Sequence, residues 1–255
     1  MDAELIAALQ VTKGIVCLVG AGGKKTTMYA LARTHPGRVL LSSTSHMYPY
    51  DRDKVDYAVM LDDPDGPLPD FEQHRIVAIA SATDTKKRVG GLAADRIRSI
   101  YDSCGFDLCI IKADGARARW IKSPGPHEPL IPHFADTVIP IVSVQVIGRP
   151  LDDRIAHRPE RLTQLLGIKL GETITPQHIA DLLSHSEGSL KGVRKANVVP
   201  VINMVDDESM HVVARKVAIA ALERTDRVSR IVLASMKHAR LVEIIERRGR
   251  NINIT

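Results

Sequence analysis

The stretch Gly20-Ala-Gly-Gly-Lys-Lys-Thr-Thr27 brings together residue types suited to holding an anion. Glycines at 20, 22 and 23 permit positive φ and let backbone N–H groups approach a ligand closely. Lys24 supplies a point charge, and a helix beginning just after the loop adds the partial positive charge of its N-terminus. The pattern approaches G-x-x-x-x-G-K-[ST], the loop that cradles nucleotide phosphates, with two departures. Aligning Gly23-Lys24 with its G-K places Leu18 where the first glycine belongs and Lys25 where a metal-binding hydroxyl belongs. The predicted cofactor-binding set is therefore Gly20, Ala21, Gly22, Gly23, Lys24, Lys25, Thr26 and Thr27. The competing reading is a glycine-rich turn that only joins a strand to a helix.

Three further clusters follow predicted strand ends or lie just beyond them. Asp114, after the apolar run 108–111, is placed to hold a Mg2+ that bridges phosphate oxygens, with Thr26 as a hydroxyl partner. A plain Asp-Gly turn is the alternative. Ser42-Ser-Thr-Ser-His46 offers hydroxyls that either replace the one lost at Lys25 or cap the next segment. Prolines at 124, 126, 129 and 132 stiffen the loop 122–132. Such a loop holds His127 and Glu128 as catalytic candidates beside Asp114, with Arg117, Arg119 and Lys122 as an anion patch. A rigid surface connection is the other reading of that loop.

The fourth cluster concerns a nucleobase. Asn203-Met-Val-Asp206 and Ala234-Ser-Met-Lys237 resemble the guanine-reading pair of GTPases, in which the aspartate accepts from guanine N1 and N2 and a backbone N–H in the later turn meets O6. Asn203 and Asp206 join the cofactor-binding set on that reading; alternatively they cap a helix beginning near residue 209. Met204 departs from the pattern, where a lysine normally lies along the base.

These residues need a scaffold. Apolar runs predict strands at 15–19, 38–41, 75–80, 106–111, 137–144, 197–204 and 230–234. Helices are predicted at 26–33, 92–103, 160–167, 176–183, 209–223 and 238–247. Near-continuous apolar strands alternating with helices mean a mostly parallel sheet covered on both faces, an α/β fold of three layers (α/β/α) like that of phosphate-loop NTPases. The alternation breaks at 148–195, read as a helical insertion within one nucleotide-binding domain spanning 1–255. In such sheets ligands bind beyond the carboxyl ends of the strands, where the four clusters lie.

Composition narrows the classes. The 255 residues are 44% hydrophobic and 25% charged, as in ordinary globular domains. Aromatics at 4% argue against a base-stacking platform for single strands. The net charge of +5 suits an anionic ligand, but the basic residues form no long run, which disfavours nucleic acid. No apolar stretch reaches 18 residues and the N-terminus lacks a basic signal region, so a cytoplasmic protein with no membrane partner is expected. Cysteines 17, 104 and 109 show no C-x-x-C spacing and read as buried thiols. None of the ten histidines has the spacing of a transition-metal site.

The blocks VGAGGKKTTMYALA, VLLSSTSHMYP, KADGARARWIKSPGPHEPLIP, GRPLDDRIAHRPE and ITPQHIADLLSHSEGSLKG resemble the successive blocks of the YqeC family, accessory proteins of selenium-dependent molybdenum hydroxylases. The resemblance implies a phosphate-loop nucleotide-binding fold; with the residues read above, the expected ligand is a nucleoside triphosphate (GTP or ATP) with Mg2+. The resemblance also implies a role in maturing such a hydroxylase, with the hydroxylase or its cofactor-maturation proteins as partners. The expected chemistry is a slow NTPase or a phosphoryl or nucleotidyl transfer; the alternative is a non-catalytic, nucleotide-switched module whose insertion around 157–160 docks a client. The family usually has Thr or Ser after G-A-G-G-K and Glu before A-D-G, where this chain has Lys25 and Lys112.

Overall fold

The computed structural model describes residues 2–248 and 251–254. After α1 (Asp2–Leu9), the buried run GIVCLVG forms β1 (Gly14–Gly20) and leads through the glycine loop into α2 (Lys24–Thr34). β2 (Val39–Ser43), β3 (Tyr57–Leu61), β4 (Ile76–Ser81), α3 (Ala94–Ser103) and β5 (Leu108–Lys112) complete the first half. The second half holds β6 (Ile121–Lys122), β7 (Thr137–Ser143), β8 (Ala156–His157), α4 (Pro159–Leu166) and α5 (Pro176–Ser184). It closes with β9 (Asn197–Val198), β10 (Val201–Asn203), α6 (Glu208–Arg224), β11 (Arg230–Ser235), β12 (Arg240–Arg248) and β13 (Asn251–Ile254).

The main sheet runs β3-β4-β2-β5-β1-β7-β10-β11-β12-β13, with β9 also pairing β7. Its pairings are parallel from β3 to β11, and only β12 and β13 run antiparallel. Successive side chains of a strand face opposite sides, so β1 sends Ile15, Cys17 and Val19 to one core and Val16 and Leu18 to the other. The first core is closed by α3, α5 and α6 through Ile97, Ile179 and Val217, the second by α1 and α2 through Leu5 and Leu31. The three-layer α/β fold expected from the apolar runs is the one observed.

Three expectations about elements and one about a cysteine need correction. Residues 238–247 form no helix: after a short 3-10 turn over Met236–His238 the chain reverses at Ala239 (φ 48) and pairs antiparallel with β11. Apolar residues at 241, 242, 244 and 245 satisfy helical spacing, but the open edge of β11 offers backbone partners and prevails. The single strand expected at 197–204 is broken at Pro200, which has no N–H to donate, and splits into β9 and β10. The segment 148–195 carries α4 and α5, yet also β8, which pairs in parallel with β6 as a separate two-stranded sheet. Cys17 and Cys109 are buried, whereas Cys104 is only half-buried. Among the described residues no helix is long and apolar enough to cross a membrane.

Candidate functional site

Gly20, Gly22 and Gly23 all have positive φ, at 89, 83 and 118 degrees. A Cβ on Gly22 would lie 2.4 Å from the Ser143 backbone nitrogen, and one on Gly23 would lie 2.5 Å from Asn203 Nδ2. Only glycine fits both the conformation and the space. Neighbouring strand ends hold the loop: Ala21 N donates to Ile141 O and Gly22 N to Arg119 O, both at 2.9 Å, and Gly20 N donates to Asp114 Oδ2 at 3.0 Å. The first bond entering α2 runs from Thr27 N to Gly23 O at 2.8 Å. The N–H groups of Gly23, Lys24, Lys25 and Thr26 therefore belong to the uncapped helix end, the arrangement that attracts an anion.

Beneath this loop lies a chain of charges that joins four elements. Lys24 Nζ is 2.9 Å from Asp114 Oδ1 and also donates to Gly20 O. Lys122 Nζ is 2.8 Å from Asp114 Oδ2 and 2.7 Å from Glu128 Oε2. Arg158 then grips Glu128 with both forks, at 2.6 and 3.2 Å. The β6–β8 pairing sets Lys122 opposite His157 and so delivers Arg158 to the loop 122–132. Burial alone would raise the Asp114 carboxyl, but Lys24 and Lys122 together outweigh it and hold it below the usual carboxylate range. Burial likewise opposes ionisation of Glu128, yet the hydrogen bonds from Arg158 and Lys122 keep it at about 2. His157, half-buried beside Arg158, is lowered to about 4 and is neutral at pH 7.

Lys112 ends β5 with its Nζ 3.2 Å from Ser45 Oγ. Burial, then the neighbouring Lys24 charge, lowers it from 10.5 to about 7. The unfolded chain keeps a proton on this lysine up to about 10.5, while the folded chain gives it up from about 7. The unfolded state thus binds more protons in that window, and this group makes the fold more stable as pH rises through it. Lys112→Met is expected to raise the melting temperature most below pH 7 and to flatten the rise between pH 7 and 10. Melting curves across that range, compared with those of the wild type, check this.

The metal set expected from the sequence does not come together. Asp114 is 1% exposed with an ammonium on each oxygen, and the space beside it, about 10 Å³, barely holds one water. Thr26 instead lines a cleft on the other side of α2. Lys25 turns away from the loop to Pro49 O at 2.6 Å and Asp51 Oδ1 at 2.9 Å. The hydroxyls of Ser42, Ser43 and Thr44 donate to Ile79 O, Lys112 O and Leu130 O at 3.1, 2.8 and 2.8 Å, so they close strand ends. Mg2+ demands octahedral oxygen ligands and keeps several waters. Each unit of like charge at about 4 Å also costs on the order of 4 kcal/mol at an effective dielectric constant of 20. These side chains do not fit a magnesium ion at Asp114. Of the other catalytic candidates, Glu128 is part of the charge chain, while His127 is exposed at the turn and makes no hydrogen bond to it.

Asn203 is buried at the end of β10 and spans two loops. Its Nδ2 donates to Gly22 O at 2.8 Å and its Oδ1 accepts from Met236 N at 3.0 Å. Asp206 Oδ1 accepts from Ser235 Oγ at 2.5 Å. The N-cap of α6 is Asp207, which accepts from Met210 N at 2.9 Å. The capping alternative for Asn203 and Asp206 is thereby overturned, because the neighbouring aspartate does that work. Met204 has φ 63 and sets its sulfur 3.0 Å from Ser143 Oγ. Thr26, Tyr29, Ala30 and Arg33 of α2 face Met236, Lys237 and His238 across a cleft of about 550 Å³, a volume in the range of small-molecule sites.

A family model described as YqeC protein matches residues 16–160, more than half of the sequence. The chain belongs to the YqeC family. The matched range takes in the glycine loop, Asp114, the proline-rich loop and Arg158; the block at 174–192 lies beyond it. A curated relative, the uncharacterized protein YqeC of Escherichia coli strain K12, is 27% identical over 185 residues, covering 70% of this chain and 71% of its own length. In this YqeC-family chain the sequence pointed to Lys122 only as part of an anion patch and to Arg158 only through the HRPE block. Their convergence on Asp114 and Glu128 had no local signal.

Proposed function

We propose that this YqeC-family protein binds a nucleoside triphosphate, GTP in preference to ATP, and acts as an accessory in maturing a selenium-dependent molybdenum hydroxylase. The Asn203 carboxamide carries the nucleotide reading. It ties the phosphate loop to the turn after β11, and so puts an anion site and an exposed, Ser235-held aspartate on one rigid frame. The phosphates lie against Lys24 and the free N–H groups at the start of α2. The base lies toward the cleft between α2 and residues 236–239. Asp206 accepts from guanine N1 and N2. Adenine has no such donor pair, a mismatch costing about 1–3 kcal/mol. The maturation role rests on the family resemblance.

Competition of GTP and ATP for the protein is expected to show a GTP preference of roughly tenfold, which Asp206→Ala removes. A clear ATP preference in the wild type overturns the guanine reading. A second observation favours binding over rapid turnover: Glu128 is held ionised by Lys122 and Arg158, and so makes a poor proton acceptor. Arg158 points inward to that carboxylate, so the HRPE segment serves the site, and the exposed faces of α4 and α5 remain for a client. Sustained phosphate release by purified protein supports the NTPase or transferase alternative; stoichiometric binding without release supports a nucleotide-switched module.

A further inference from the structure

Asp114 stands where the acidic residue of a magnesium site is expected, yet its two oxygens are shared between Lys24 at 2.9 Å and Lys122 at 2.8 Å. Lys122 is 1% exposed and gives its remaining donors to Gly115 O and Glu128 Oε2, each at 2.7 Å. An ammonium with three acceptors and no solvent is a fixed charge that thermal motion does not move aside. The hydroxyls that would complete a metal shell are engaged elsewhere: Thr27 Oγ1 on Gly23 O at 3.1 Å and Thr44 Oγ1 on Leu130 O at 2.8 Å. At the loop's usual hydroxyl position Lys25 is committed to Asp51. Counted as charges, Lys24, Lys122 and Arg158 outnumber Asp114 and Glu128 by one. An arriving phosphate group thus meets positive charge supplied by the protein itself.

We propose that Lys122 takes the place of the divalent cation, so that the loop binds the phosphate chain of a metal-free nucleotide. This rests on the nucleotide reading above. Two local departures point the same way independently: the loop lacks its hydroxyl, and the acidic residue is sealed by lysines. Lys24 stays poised beneath the loop and exchanges part of its contact with Asp114 for the phosphates. Lys122 remains on Asp114 Oδ2 and balances the carboxylate that would otherwise repel them. The ligand class is therefore a free polyphosphate ester, recognised by ammonium and backbone N–H donors.

Calorimetric titration of the full chain with GTP and with pyrophosphate, once in EDTA and once in excess Mg2+, tests this. Dissociation constants that agree within about threefold between the two buffers are expected. Tightening by Mg2+ of about tenfold or more overturns the proposal and leaves the nucleotide reading standing. Failure of both probes in both buffers overturns the two together. Lys122→Met uncovers Asp114 Oδ2 and is expected to make binding tighter in Mg2+ by about tenfold. A folded Lys122→Met protein, verified by circular dichroism, that stays indifferent to Mg2+ removes Lys122 from the role. Should that variant not fold, the wild-type comparison decides by itself.

Discussion

Lys24→Ala is expected to abolish the proposed nucleotide binding. Lys24 is the cation at the root of the loop, and its Nζ lies within the bend formed by Gly20 and the start of α2. Removing one partner of a buried, charge-assisted contact costs about 2–5 kcal/mol, which is roughly 30-fold to more than 1,000-fold in affinity. The fold is expected to survive, because Asp114 keeps Lys122 at 2.8 Å and the Gly20 N–H at 3.0 Å. Lys24→Met retains the packing of the stem without the charge, and its affinity loss is expected to match that of alanine. Titration of either variant with GTP checks the outcome; unchanged affinity sinks the loop reading, and an unfolded Lys24→Ala would show instead that Lys24 is chiefly structural.

Asp114→Ala is expected to have the largest effect on stability. It leaves the Lys24 and Lys122 side chains, 4% and 1% exposed, without the carboxylate they share, and removes the acceptor of Gly20 N. Breaking a buried pair from one side costs about 3–5 kcal/mol. In a chain of this size that lowers the melting temperature by roughly 6–20 °C. Adding Lys122→Met to Asp114→Ala is expected to recover part of the loss, since one of the two stranded charges disappears. Thermal unfolding of the single and double variants measures both; a melting temperature for Asp114→Ala within about 2 °C of the wild type would reduce Asp114 to a simple turn residue.

Much of the scaffold was legible in the residues themselves. β1, β2, β4, β5, β7 and β11 are short apolar runs bounded by Gly, Asp or Ser, and a strand buried on both faces has little choice but to be such a run. α1 and β3 were missed because α1 is short and β3 is a half-exposed strand whose apolar character is weaker. The glycine loop was legible for a local reason: residues 20–27 are contiguous, and three glycines with positive φ, a lysine and a helix start form one unit however the rest folds.

The sequence by itself determined most of the central parallel strands and the helices α2 to α6, the glycine loop, the acidic residue at the end of β5 and the Asn203–Asp206 segment. What those residues touch was decided only by the tertiary structure. Lys122, Glu128 and Arg158 span 36 positions and meet because β6 pairs with β8, two strands of two residues each that carry almost no signal of their own. Lys25 could have faced the loop; Asp51, delivered from beyond β2, draws it away. Residues 238–247 satisfied the spacing of a helix, yet Arg240–Arg248 became a strand because β11 presented an open edge. The physical reason is the same each time: spacing along a chain constrains backbone conformation over a few residues. Ion pairing and sheet edges are settled by whichever distant groups the fold brings within about 3–4 Å.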